Sequence, residues 1–287
     1  MITDYGKSIR ARLLNLSKKE KLDYMKVLVR YIHERLLYRI STSKYQKNFL
    51  LKGSSLIFAY DMFKSRPTID VDLLGANISN EKDNIKSIFE EICKIDCKED
   101  DVRFLPETIK ITPIALEKKY PGNCVKITAK IDTIIQNISI DIGYGDVVTP
   151  HPLPLEYPTL LNDIPQVELY AYSLETLIAE KFHAMIVRDT ENSRMKDFFD
   201  VYTLFKNHNI NEDLLKEAII NTFNARETKY SEGKALFTQT FTTDETRNQM
   251  WNIYLKSIHW PEKFKFEVVM DLIKSKLQTY WTKEFLG

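Results

Sequence analysis

The hydrophobic period of the chain changes at one place, and proline marks it. Pro150, Pro152, Pro154, Pro158 and Pro165 fall within roughly twenty residues, and each fixes φ and removes a backbone donor, so regular structure is not expected from Gly143 to about residue 165. Upstream of this stretch, short apolar runs alternate with period two. Downstream, apolar residues recur at helical spacing. The order predicts an α+β protein: a lobe built on a mixed β-sheet over residues 1–165, then a helical C-terminal lobe over 166–287.

Within the first lobe, Ser17 with Glu20 reads as a capping box, followed by an apolar helix face of Leu22, Met25, Leu28, Val29, Ile32 and Leu36. The apolar segment from Asn48 to Tyr60 is broken by Gly53, Ser54 and Ser55, which predicts a turn feeding a short helix that ends before Pro67. Thr68 to Leu74 then alternates like a strand. Ile69, Val71 and Leu73 point one way, so Asp70 and Asp72 project together from the other face. A helix is expected over Glu81 to Ile95, and one or two short strands over Val102 to Thr112. Cys124 to Ile131 and Ile138 to Ile142 alternate as a hairpin joined through Thr133 to Asn137, with Asp141 opposite its isoleucines. In the second lobe Ser173 is a candidate N-cap for a helix from Leu174 to Arg188. A second helix, about Ser193 to Lys206, carries a stripe of Phe198, Val201, Tyr202 and Phe205, and helical patterns also cover 211–224, 244–258 and 264–280.

Composition mainly excludes. Hydrophobic residues at 44% and charged residues at 28% describe a soluble globular chain, not a disordered one. Cys93, Cys97 and Cys124 are an odd number in a long chain, which argues against a disulfide framework, so reduced thiols are expected, and no histidine pair stands near enough to suggest zinc. Lys7, Arg10, Arg12, Lys18 and Lys19 occupy the first twenty residues with no apolar run behind them, which argues against a secretory signal or a membrane span and for the cytoplasm. A net charge of +1 excludes a uniformly basic coat for nucleic acid but leaves room for a local basic cleft.

Two aspartates at i and i+2 on a strand bring their carboxylates roughly 6 to 7 Å apart on one face. That suits a shared Mg²⁺ or Mn²⁺, whose remaining positions an NTP's phosphates and water can fill; a solvated strand face is the plain alternative. Gly53, Ser54 and Ser55 open a helix whose free N–H groups suit a phosphate, though an ordinary serine-capped turn has the same composition. Asp141, on a neighbouring strand, is placed to hold metal and to receive the proton of an attacking hydroxyl, against the alternative of a residue at the end of a hairpin.

Phe49 to Leu56 followed by Arg66 to Leu73 resembles the first motif of the AbiEii/AbiGii toxin family within the nucleotidyltransferase superfamily. Leu174, Glu175, Ala179, Glu180, Lys181, Phe182, His183 and Ala184 are similar to its helical motif, and Arg194, Lys196, Asp197, Phe198, Phe199, Asp200, Val201 and Tyr202 to its last. Phe241, Asp244, Arg247 and Trp251 extend the likeness, so it spans roughly residues 45 to 285. The family often has a second glycine where Ser54 stands. The resemblance implies that Lys181 contacts the triphosphate and that Asp197 or Asp200 is needed for activity. On spacing alone, Lys181 and Arg188 can face one cleft, and Asp197 and Asp200 can orient Lys181; two helices joined by surface ion pairs would look the same. His183 points elsewhere and reads as packing or solvent-facing.

The expected function is therefore a metal-dependent nucleotidyltransferase toxin using an NTP. By resemblance, its acceptor is RNA such as the tRNA 3′ end, and a cognate antitoxin restrains it. Lys118, Lys119, Arg188, Arg194 and Lys196 are candidate RNA contacts. Three alternatives stand beside it: an antibiotic-modifying nucleotidyltransferase, a metal-dependent nuclease in which the same acids activate water, and a non-catalytic binding module.

Overall fold

The structure, a computed structural model, describes residues 5–68, 70–117 and 120–287. The chain forms two compact units, Met1–Gly145 with Leu153–Ala171, and Asp146–Pro152 with Tyr172–Gly287. The units thus interleave along the sequence instead of meeting at a single cut.

The first unit runs α1 (Tyr5–Lys19), α2 (Tyr24–Thr42), β1 (Phe49–Lys52), α3 (Gly53–Asp61), β2 (Val71–Gly75), α4 (Lys82–Cys93), β3 (Val102–Glu117), β4 (Tyr120–Ile131), β5 (Ile134–Tyr144), β6 (Leu153–Tyr157) and β7 (Val167–Ala171). Among the described residues the strands form one seven-stranded sheet in the order β3-β4-β5-β2-β1-β7-β6. The sheet is mixed, as expected: β2 runs parallel to β5 and β1 to β7, while the other pairs are antiparallel. Val125, Ile127, Ala129 and Ile131 of β4 and Ile138, Ile140 and Ile142 of β5 are buried on one face, which is the consequence of their alternation. Ile85, Ile88, Phe89 and Ile92 give α4 a buried stripe at helical spacing.

α2 buries Leu28, Ile32 and Leu36, but Met25 is exposed and four charged residues, Arg30, Glu34, Arg35 and Arg39, lie inside with them. Arg39 forms an ion pair with Asp100 and donates to the carbonyl of Val102 at 2.8 Å. Glu34 accepts from the amide of Leu160 at 2.7 Å, and Arg35 donates to the carbonyl of Pro165 at 3.0 Å. Such groups are tolerated inside only when paired; here the pairing ties the proline-rich connection to the core.

Several boundaries differ from the sequence reading. Ser17 does not cap the second helix: it lies in the last turn of α1, donating to the carbonyl of Leu14, and Asp23 caps α2 by accepting from the amide of Lys26. Lys21, at φ 54°, makes the break between the two helices. β2 begins at Val71, and Ile69 lies outside the described residues. β3 is one continuous strand, and the β4–β5 turn is the two residues Asp132 and Thr133, since Ile131 pairs with Ile134. The strand β6 occupies the region expected to be irregular, and β7 lies just past it, where the helical lobe was expected to begin. β6 contains Pro154 and lies at the sheet edge, where a missing N–H costs no ladder bond.

The second unit contains α5 (Leu174–Arg188), α6 (Met195–Asn207), α7 (Glu212–Ala225), α8 (Gln239–Thr243), α9 (Glu245–Ser257), α10 (Phe266–Leu277) and α11 (Lys283–Leu286). Ser173 caps α5, accepting from the amide of Thr176 at 3.0 Å. Phe198, Val201 and Leu204 of α6 are buried against a cluster of rings, in which Phe198 meets Phe266 at 5.3 Å and Trp251 meets Phe264 at 5.5 Å between centroids. Among the described residues no helix is long and apolar enough to cross a membrane.

Candidate active site

β1 leads into α3 through Gly53, whose φ of +64° is a conformation that side chains with a β-carbon rarely adopt. A β-carbon there would also lie 2.1 Å from a carboxylate oxygen of Asp72. Glycine is thus required twice, by backbone shape and by the acid packed against it. Asp72 is the register partner of Lys52 on one side and of Asp141 on the other. Asp141 is in turn the partner of Cys124 on β4, and Cys124 of Thr112 on β3. Register partners on adjacent strands share a face roughly 4.8 Å apart, so one rung carries Thr112, Cys124, Asp141, Asp72 and Lys52 side by side.

The two acids read from separate segments of sequence therefore stand on adjacent parallel strands. Asp70 precedes β2 and is exposed; its carbonyl accepts from the Ser55 hydroxyl at 3.0 Å. Ser54 bonds Thr68 at 2.7 Å, so both serine hydroxyls lace the start of α3 to the segment leading into β2. What α3 presents at its start is its backbone N–H groups. Cys124 was not singled out by sequence, because nothing in the sequence states the register. Burial, and then its bond to Asp141, push its thiol up to about 11; all three cysteines are free and buried. Among the described residues no group of three His, Cys, Asp or Glu side chains converges as a metal cage.

In the helical unit the expected pairing of Lys181 is explicit. Its ammonium donates to Asp197 at 3.0 Å and to Asp200 at 2.7 Å, and all three residues are buried. Arg194 adds a 2.5 Å bond to the other oxygen of Asp197. Burial pushes the Asp197 carboxyl up, but the charges of Lys181 and Arg194 outweigh it and hold the group well below the usual carboxylate range. Arg188 is exposed at the end of α5, and Lys196 is exposed on α6; Lys118 and Lys119 lie outside the described residues.

A second, half-buried network in this unit was not legible. Arg226 of α7 pairs with Asp146 at 3.0 Å and Glu180 at 3.4 Å, and also meets His183, whose other ring nitrogen faces Thr228. Tyr172 reaches Asp146 at 3.2 Å. Burial, and then the charge of Arg226, lower His183 to about 3, so the ring is neutral and is a packing residue. Of the tail motif, Asp244 caps α9, Arg247 lies over the ring of Phe241, and Trp251 donates to the carbonyl of Phe264. Their contacts account for their presence by structure alone.

The class of protein is a nucleotidyltransferase. The model of the family described as "Nucleotidyl transferase AbiEii toxin, Type IV TA system" matches residues 35–263, and the chain belongs to that family. A family of type IV toxins implies an antitoxin partner and an NTP substrate. No curated protein matches the chain. Among solved structures, JHP933 from Helicobacter pylori superposes with a TM-score of 0.47 at 15% identity, over 90% of this chain and 95% of that one. A second H. pylori crystal structure, assigned by name to the nucleotidyltransferases, gives 0.45 at 13% identity, over 85% of this chain and all of the other.

Proposed function

We propose that the chain transfers a nucleoside monophosphate from an NTP to RNA, with Asp72 and Asp141 as the central acids. The reading is carried by one observation: the two carboxylates are neighbours on a single rung, beside a glycine whose missing β-carbon makes room for one of them. This donor set fits a divalent ion, because Mg²⁺ or Mn²⁺ takes one or two carboxylates and completes its shell with water and phosphate oxygens. Asp70 is the third candidate ligand. When bound, such an ion would supply positive charge to the triphosphate.

In this reading the amides at the start of α3, from Gly53 to Ser55, cradle phosphate oxygens. Asp141 receives the proton of the acceptor hydroxyl as its oxygen bonds to the α-phosphorus, and the bond to the bridging oxygen of pyrophosphate breaks. Asp72 fixes the rung on which this happens. Lys181 meets triphosphate charge, with Asp197 and Asp200 holding its ammonium in place and Arg188 as a further candidate contact. RNA such as the tRNA 3′ end is the proposed acceptor, the cytoplasm the proposed setting, and a cognate antitoxin the proposed restraint.

The test is incubation of purified protein with labelled NTPs and total RNA, or with aminoglycosides, with and without EDTA. Label should enter RNA, pyrophosphate should be released, and EDTA, Asp72→Asn and Asp141→Asn should each lower incorporation at least a hundredfold. Label on aminoglycosides alone, or RNA shortened without NTP, would replace this reading by an antibiotic-modifying enzyme or a nuclease.

A further inference from the structure

The end of α9 and the loop after it enclose a cavity of about 310 Å³, lined by Asn252, Leu255, Lys256, His259, Trp260 and Lys263. The helix stops because His259 takes a φ of +52°, and the amide of Trp260 turns back to the carbonyl of Leu255 at 3.0 Å. That reversal seats the Trp260 ring edge-on against Phe199, with centroids 4.8 Å apart, and leaves it half-buried. Leu255 is buried, while Asn252, Lys256, His259 and Lys263 are exposed. No lining residue is acidic; Glu262, next in the loop, reaches toward Lys206 at 3.9 Å.

An aromatic ring with a leucine beside it, two lysines and one primary amide is the chemistry that single-stranded nucleic acid requires: a flat apolar surface for a base, cations for the phosphates on either side, and an amide for a base edge. The volume of about 310 Å³ lies at the small end of ligand pockets, which is room enough for one base. We propose that this cavity is a nucleobase subsite for the RNA acceptor, with a base against Trp260 and its flanking phosphates at Lys256 and Lys263. The inference rests on RNA being the acceptor and adds to that reading where the strand is held.

The experiment uses the full chain and a short unstructured single-stranded RNA. Binding is followed by intrinsic fluorescence and by anisotropy of labelled RNA, beside NMP incorporation into the same RNA. Trp251 and Trp281 are buried, so quenching reports mainly on Trp260. RNA should quench the wild type, and Trp260→Ala should abolish the quench and weaken binding roughly tenfold. Because Trp260 packs on Phe199, the double variant Lys256→Glu, Lys263→Glu provides the second arm; both residues are exposed, so it should fold normally, bind more weakly and show a shallower salt dependence. If the wild type neither binds nor labels RNA, the acceptor reading fails and this inference with it. If the wild type labels RNA while both variants bind it as tightly, or if duplex DNA competes as well as single strands, the subsite alone is overturned.

Discussion

Gly53 concentrates the demands of the site in one residue. An alanine there must adopt an unfavourable backbone, at roughly 1–2 kcal/mol, and must displace the Asp72 carboxylate. Gly53→Ala is accordingly expected to lower the urea midpoint modestly and to abolish NMP transfer, since the displaced group is one of the two acids proposed to carry it. A variant that kept full activity would show that Asp72 does not act from its observed position. At this scale, much of the site was legible. Gly53, Asp72 and Asp141 could be read because a turn residue and two acids within β-branched runs are local signals. Lys52 and Cys124 could not, because their place on the rung depends on which strands pair and in what register, and that is a property of chain segments far apart in sequence.

Among elements, α5 is the clearest case of sequence dictating structure. The cap at Ser173, the helical spacing behind it and the cation at its end delimit Leu174–Arg188, and the structure has those bounds. Ser173 also donates to the carbonyl of Thr149 at 2.7 Å. Replacing it by alanine removes both bonds, and Ser173→Ala should cost about 1 kcal/mol by the usual worth of an N-cap, measured by chemical denaturation, with NMP transfer retained below the melting temperature. Retention of stability would mean that solvent replaces the cap. β1 was hidden for the opposite reason: four residues, Phe49 to Lys52, are too few to show a period before the helix begins. β7 does alternate, burying Val167, Leu169 and Ala171 about Glu168 and Tyr170, but the prolines just before it mask the signal. The edge position of β6 is what lets a proline-bearing segment be a strand at all.

For the whole molecule, two buried acids, one in each unit, respond to pH in opposite senses. Glu34, in the sheet unit, is pushed up to about 7 from 4.5 by burial, against the pull of Arg35 and the Leu160 amide. Its folded form holds a proton more tightly than its unfolded form, so its contribution is complete below about pH 4.5 and is lost as pH rises through about 7. Asp197, in the helical unit, is depressed below its ordinary 3.8, so its contribution is present above about pH 3.8 and is lost as pH falls through its lower folded value. Relative to the wild type, Glu34→Gln is therefore expected to gain stability as pH rises from about 4.5 to 7, and Asp197→Asn to lose less on acidification while being less stable at neutral pH. Urea midpoints across the pH range check both; parallel curves for wild type and variants would refute the assignment.

The interleaving of the units has a consequence for how such a chain comes into being. As it emerges from a ribosome, the first 145 residues hold five strands but not β7, which flanks β1, nor the edge strand β6 beyond it. The strip that belongs with the helices, Asp146–Pro152, is made before both. A nascent enzyme halted anywhere before Ala171 therefore has an incomplete sheet with β1 open along one side, and the arm carrying Lys181 is not yet synthesised. On the proposed reading, nucleotidyl transfer is thus deferred until the residues that follow the sheet, Lys181 among them, have been made.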